Sequence, residues 1–248
     1  MTKLSIPEVN EIITEAILNI TKRYGVSNLR ELLMMKNFSD TINELEEEAN
    51  KVYKKYERKA IMKYLKQRQL LNKDVMTVID AIINNSLLTS IANTRRARAG
   101  VATERILILL LRSSGVKCEE ASIEYEGYKP DIIIPSNSAF GDYSKPNLDK
   151  IFVLAVKRTL RERWSEDIRI FRFPNSAFIL IKPDPDFTPQ KAEDMVKSGM
   201  KRIYIPDSLY NMYKDYLNIL KRRYEVVFKP LSDLTKDLLE FQRKIGLS

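Results

Sequence analysis

Two short runs decide how this chain folds: Pro130-Asp131-Ile132-Ile133-Ile134 and Ile151-Phe152-Val153-Leu154-Ala155-Val156-Lys157. Each is a continuous apolar stretch of strand length with a charged residue at one end, the pattern of a strand buried on both faces. If the two are neighbours in a sheet, an acid and a lysine meet. Lysine is rarely placed where its head would be buried without a partner, so Lys157 directly after the apolar run 151–156 is unusual. The alternative is that Lys157 marks the strand's exit to solvent.

Outward from these runs, strands are expected at 121–125, 177–181 and 202–205, and helices at 103–114, 189–198, 208–222 and 231–244. Residues 136–150, with Asn137, Gly141, Pro146 and Asn147, have no apolar periodicity and read as a loop at one end of the sheet. Upstream, residues 7 to 90 read as helices almost throughout, with Val9, Ile12, Ile13, Ala16, Ile17 and Ile20 at three-to-four spacing. The expected fold class is therefore α/β (α+β). A helical N-terminal layer over residues 1–90 precedes a core over 91–248 with a central mixed β-sheet flanked by helices. The charge-dense stretch 44–73 is either a solvated helix face or an arm for dimerisation or for straddling DNA, with Lys63, Lys66 and Arg68 toward phosphates.

The chain of 248 residues carries 42 Lys+Arg against 33 Asp+Glu, a formal charge of +9 that draws polyanions by counterion release. It has no histidine and a single cysteine, Cys118. That excludes imidazole-based triads, histidine-ligated zinc, thiolate metal sites and an internal disulfide. No apolar run reaches the length of about 20 residues needed to span a bilayer, and the start MTKLSIPEVNEII has no signal-peptide core. A cytoplasmic protein without membrane contact is expected. Hydrolysis in such a chain must run on carboxylates, lysine and a hard metal. Phosphodiester cleavage fits Asp131 holding Mg²⁺ and Lys157 positioning the nucleophile.

The sequence around Lys157 sharpens this. Leu154-Ala155-Val156-Lys157-Arg158-Thr159-Leu160-Arg161-Glu162-Arg163-Trp164 resembles the active-site strand and following helix of PD-(D/E)xK type II restriction endonucleases, in the SsoII, EcoRII and PspGI branch. Arg95-Arg96-Ala97-Arg98-Ala99-Gly100 and Glu104 resemble the branch's basic segment and helix-borne glutamate. The resemblance covers about residues 90 to 205. It implies a restriction-endonuclease-like core, a homodimer, double-stranded DNA as partner, Mg²⁺ without any nucleotide cofactor, 5′-phosphate products and a target with CC and GG half-sites.

It also implies roles. Asp131, Lys157, a second carboxylate and Glu104 are the expected catalytic group, with Asp131 and the second carboxylate on the metal. In this branch the acid two residues before the lysine is missing, and here that position is Ala155. Its substitute stands thirteen positions after the lysine, where this chain has Ile170. Glu166, four residues earlier, is the candidate because four residues is close to one α-helical turn. Asp167 is the neighbour that could replace it. Arg161, Glu162 and Arg163 are expected in the major groove, the arginines on guanine and the glutamate on cytosine amino groups. Arg95, Arg96 and Arg98 are expected to approach phosphate or bases. Pro183-Asp184-Pro185-Asp186 and Pro206-Asp207 repeat the Pro-Asp dipeptide but read as a turn and a helix start. A structure-specific repair or recombination nuclease of the same fold, and a catalytically inactive DNA-binding regulator, are the competing readings.

Overall fold

In the computed structural model the described residues are 6–70, 73–84, 87–160 and 164–247. The chain separates into two compact units, one formed by Met1–Val26 with Glu44–Ala102 and the other by Ser27–Asn43 with Thr103–Ser248. The helices are α1 (Val9–Tyr24), α2 (Leu29–Met35), α3 (Phe38–Gln67), α4 (Val75–Asn84), α5 (Leu87–Ser113), α6 (Pro189–Lys197), α7 (Asp207–Tyr224) and α8 (Leu234–Lys244). The boundary expected after residue 90 thus falls inside α5.

The first unit is helical, as its three-to-four periodicity implies. Helix α1 buries Val9, Ile12, Ile13, Ala16 and Ile20 on one side and stops at Gly25, whose left-handed φ of 66° lets its N–H turn back to Lys22 and Thr21. The charge-dense α3 places several of its acids on partners. Glu48 accepts from Arg23 at 2.8 Å and from Asn19 at 3.0 Å, and buried Glu57 accepts from Tyr53 at 3.0 Å.

The second unit is built on a six-stranded sheet. Its strands are β1 (Glu119–Glu120), β2 (Ile132–Ile134), β5 (Phe152–Lys157), β6 (Ser176–Leu180), β7 (Arg202–Ile205) and β8 (Val227–Pro230), in that spatial order. A small hairpin of β3 (Gly141–Asp142) and β4 (Lys145–Pro146) occupies the segment read as a loop. Strands β1, β2 and β5 run antiparallel, and β5 through β8 run parallel. The sheet is therefore mixed, as expected. Ile132, Ile133 and Ile134 in β2 and Val153, Leu154 and Ala155 in β5 are completely buried, which is why both strands read as unbroken apolar runs.

Two strands of the six-stranded sheet differ from expectation. The strand expected at 121–125 is displaced to Glu119–Glu120. Ala121 still donates its N–H to Asp131 O, but the next amide, Ser122, donates to the Asn137 side chain at 2.7 Å and leaves the ladder. Strand β8 went unread. It is short, ends at Pro230, and runs directly into a 3-10 turn at Leu231–Asp233.

Candidate active site

Asp131 stands one residue before β2 yet belongs to the ladder: its N–H donates to Leu154 O and its carbonyl accepts from Ala121 N–H, both at 3.0 Å. Its side chain is fixed as well, with Oδ2 accepting the Val156 N–H at 2.6 Å, a charge-assisted bond. Side chains alternate along a strand, so Val153, Ala155 and Lys157 share a face, and the pairing of Ile133 with Val153 puts Asp131 on that face too. Lys157 closes β5 half-buried, 20% exposed, with its carbonyl held by Ile181 N–H at 2.9 Å. The two apolar runs are therefore neighbouring strands, and the acid and the lysine stand on one face of them.

The second carboxylate comes from the crossover between β5 and β6. Its helical part, Trp164–Arg172, is a 3-10 helix. With three residues per turn, positions 167, 170 and 173 eclipse, and Asp167, Ile170 and Phe173 are all buried. Ile170 and Phe173 pack into the apolar core under the sheet. Asp167, one turn earlier on the same edge, lies 3.0 Å from Lys157 Nζ through Oδ2. Glu166 is exposed. The shift of four residues assumed an α-helical turn; the observed geometry makes the shift three residues and brings Asp167, rather than Glu166, to Lys157.

Tyr128 completes the group. Its buried hydroxyl donates to Asp167 Oδ1 at 3.0 Å. Burial, then the charges of Asp167 and Asp131, push this phenol well above its ordinary range, so it remains a donor. The sequence reading missed it, and the available signal was the Tyr125-Glu126-Gly127-Tyr128 turn three residues before Asp131. Asp167 Oδ2 is buried and receives no hydrogen bond, since the ammonium approaches outside hydrogen-bond geometry. A carboxylate oxygen so placed is one that a hard cation could take. Among the described residues no three acidic, cysteine or histidine side chains gather at one point. Two carboxylates, supplemented by water and phosphate oxygens, are the donor set typical of Mg²⁺.

The remaining expected residues fall elsewhere. Glu104 lies half-buried on α5, one turn before fully buried Leu107. Arg95 is bound by both Nε and Nη2 to the Glu57 carboxylate, at 2.8 and 2.5 Å, and Arg98 donates to the carbonyl of Pro7 at 2.5 Å. These two of the arginines expected at DNA thus also bond within the helical unit. The Arg96 side chain and Arg161, Glu162 and Arg163 lie outside the described residues. The aspartates of two of the further Pro-Asp pairs, 183–184 and 206–207, hold local structure. Asp184 is buried and accepts from Leu160 N–H at 2.6 Å and Asp186 N–H at 2.9 Å. Asp207, at the helix start, accepts from the Ser232 N–H at 3.1 Å and from its hydroxyl.

A mixed sheet flanked by helices, whose adjacent central strands carry an aspartate and a lysine on one face with a crossover acid 3.0 Å from the lysine, is a fold of the restriction-endonuclease type. Comparison with known proteins narrows the class. The model of the EcoRII C-terminal family matches residues 53–221, more than half of the chain. Among solved structures, the chain is similar to the restriction endonuclease PspGI in a complex with substrate DNA. That match has 27% identity and a TM-score of 0.71, over 96% of this chain and 94% of that one. It also shares its fold with metal-depleted Ecl18kI bound to uncleaved, modified DNA, at 18% identity and a TM-score of 0.71, over 98% and 81% of the two chains. A comparison with curated proteins gives no match. The chain belongs to the EcoRII C-terminal family and is an EcoRII/PspGI-like type II restriction endonuclease. Among the described residues no helix is long and apolar enough to cross a membrane.

Proposed function

We propose that this chain is a Mg²⁺-dependent, sequence-specific endonuclease acting as a homodimer on double-stranded DNA, cutting a palindromic or pseudopalindromic site with CC and GG half-sites. The observation that carries the reading is Asp167 at 3.0 Å from Lys157, with Asp131 on the same face of the neighbouring strand. Relatives captured with substrate or uncleaved DNA support DNA as the ligand, and the charge of +9 favours its encounter.

Asp131 and Asp167 would hold the metal, which when bound neutralises phosphate charge and lowers the pKa of its water. Each carboxylate is oriented before any ligand arrives, Asp131 by the Val156 N–H and Asp167 by the Tyr128 hydroxyl. Lys157 orients the attacking water and offsets charge developing on the phosphate, and its half-buried position strengthens that field relative to open solvent. In-line attack forms a P–O bond to water oxygen and breaks the P–O3′ bond, so the phosphate stays on the 5′ end and the 3′ oxygen leaves as a hydroxyl. Arg161, Glu162 and Arg163 would read the half-sites, each good contact discriminating by about 1–3 kcal/mol. A two-fold dimer cuts both strands of a site sharing its symmetry.

The test is incubation of the purified protein with phage DNA and Mg²⁺, beside Lys157→Ala and an EDTA control, with fragment ends sequenced. Discrete fragments with 5′-phosphates and a common CC/GG terminus, absent from both controls, are expected. Sequence-selective binding without cleavage would give the regulator reading, and cutting governed by junctions or flaps the repair-nuclease reading.

A further inference from the structure

Tyr128 sits on a tight turn. Tyr125 and Tyr128 exchange N–H···O bonds at 3.0 Å each, and the two residues between them, Glu126 and Gly127, have φ of 48° and 72°. Two successive left-handed residues closing a two-residue connection form the type I′ hairpin turn, and glycine at the second place suits it. Arg172, on the 3-10 helix that bears Asp167, donates to Glu126 O at 2.5 Å and pairs with the Glu126 carboxylate at 3.5 Å. The Tyr125 ring packs 5.4 Å from that of Phe173, just past the same helix. Turn and 3-10 helix are therefore fastened at their edges, with the Tyr128 to Asp167 bond between them.

We infer that Tyr128 is a positioning residue for the Asp167 carboxylate, its hydroxyl fixing Oδ1 so that Oδ2 is presented to the metal beside Lys157. The terminal torsion of an aspartate is broad, and a carboxylate approached only by a flexible lysine rotates. A donor on the other oxygen, itself locked by the hairpin turn, removes that rotation. Groups that orient a metal ligand in this way typically change metal affinity or activity 10–100-fold when removed. The inference rests on the reading of Asp167 as a metal ligand.

The experiment compares wild type, Tyr128→Phe and Asp167→Asn by Mn²⁺ titration, following loss of the free-ion paramagnetic resonance signal, with duplex cleavage measured across Mg²⁺ concentrations. Tyr128→Phe should weaken Mn²⁺ binding about tenfold and raise half-saturating Mg²⁺ by a similar factor, with turnover recovering at high Mg²⁺ and KM for duplex unchanged. Asp167→Asn should weaken Mn²⁺ binding further. Wild-type Mn²⁺ affinity in Tyr128→Phe overturns the positioning role while leaving the ligand reading intact. Wild-type affinity in Asp167→Asn overturns the ligand reading, and the role of Tyr128 with it. Should Tyr128→Phe not fold, Arg172→Ala loosens the turn from its exposed side and should weaken Mn²⁺ binding about two- to threefold, a smaller effect than losing the hydroxyl itself. An unchanged affinity there counts against the inference.

Discussion

Two buried aspartates flank the end of β5, and their surroundings set them to different work. Asp184, in the turn after β6, has one donor for each oxygen, the amides of Leu160 and Asp186. It stitches the chain beyond Lys157 to the neighbouring strand, which is a folding role. Asp167, on the 3-10 helix, has a phenol on one oxygen and an off-geometry ammonium near the other. Its second oxygen is matched by a lysine ammonium and not by a backbone amide, so no strand or turn depends on it. Both acids are short, buried and close to the same strand end. The difference lies in whether backbone amides satisfy them.

The comparison can be broken by exchanging the effects. Asp167→Ala should lower cleavage on the order of 10³-fold, the several kcal/mol expected when transition-state charge loses its metal, while the urea midpoint stays close to wild type. A large fall in the midpoint instead would make Asp167 a structural acid like Asp184. Asp184→Ala should do the opposite. Leaving two buried amides without acceptors costs about 2–4 kcal/mol, read as a lower urea midpoint, with cleavage per folded molecule nearly unchanged.

A third acid sharpens the contrast. Glu57 in the helical unit is buried but fully matched by Arg95, whose hydrogen bonds hold its carboxyl below the ordinary range. Arg95→Ala should destabilise by about 2 kcal/mol, less than for a fully buried pair because Arg95 is half exposed. A depressed carboxyl stabilises the fold above its unfolded pKa of about 4.3, and that contribution is lost as pH falls toward the folded value. The wild type should therefore lose stability more steeply than Arg95→Ala on acidification below that range, measured by thermal melts at stepped pH. Smallest of all, exposed Glu166→Ala should leave both cleavage and stability within about twofold and 0.5 kcal/mol of wild type. A loss there approaching that of Asp167→Ala would restore Glu166 as the ligand.

How far the site could be read in advance depended on how local its causes are. Asp131 and Lys157 were legible because a buried strand writes itself as an apolar run and a charge at its end has nowhere else to be. The second acid was narrowed to neighbouring residues, Glu166 with Asp167 as its substitute. The choice between them turned on helix pitch: at 3.6 residues per turn Glu166 shares an edge with position 170, and at 3.0 Asp167 does. The pitch follows from Ile170 and Phe173 seating in the core. The intrachain partners of Arg95 and Arg98, Glu57 and the carbonyl of Pro7, could not be read in advance because they are far away in sequence.

By itself, then, the sequence determined which side chains are there for chemistry and the strands that carry them: no histidine, an aspartate just before β2, a lysine at the end of β5, and a mixed sheet between helices. Only the tertiary structure decided which acid faces that lysine, which hydroxyl steadies it and which charges are already matched. The physical reason is range. Apolar periodicity and terminal charge are local properties of a strand, whereas the satisfaction of a buried polar atom depends on donors brought to it by folding.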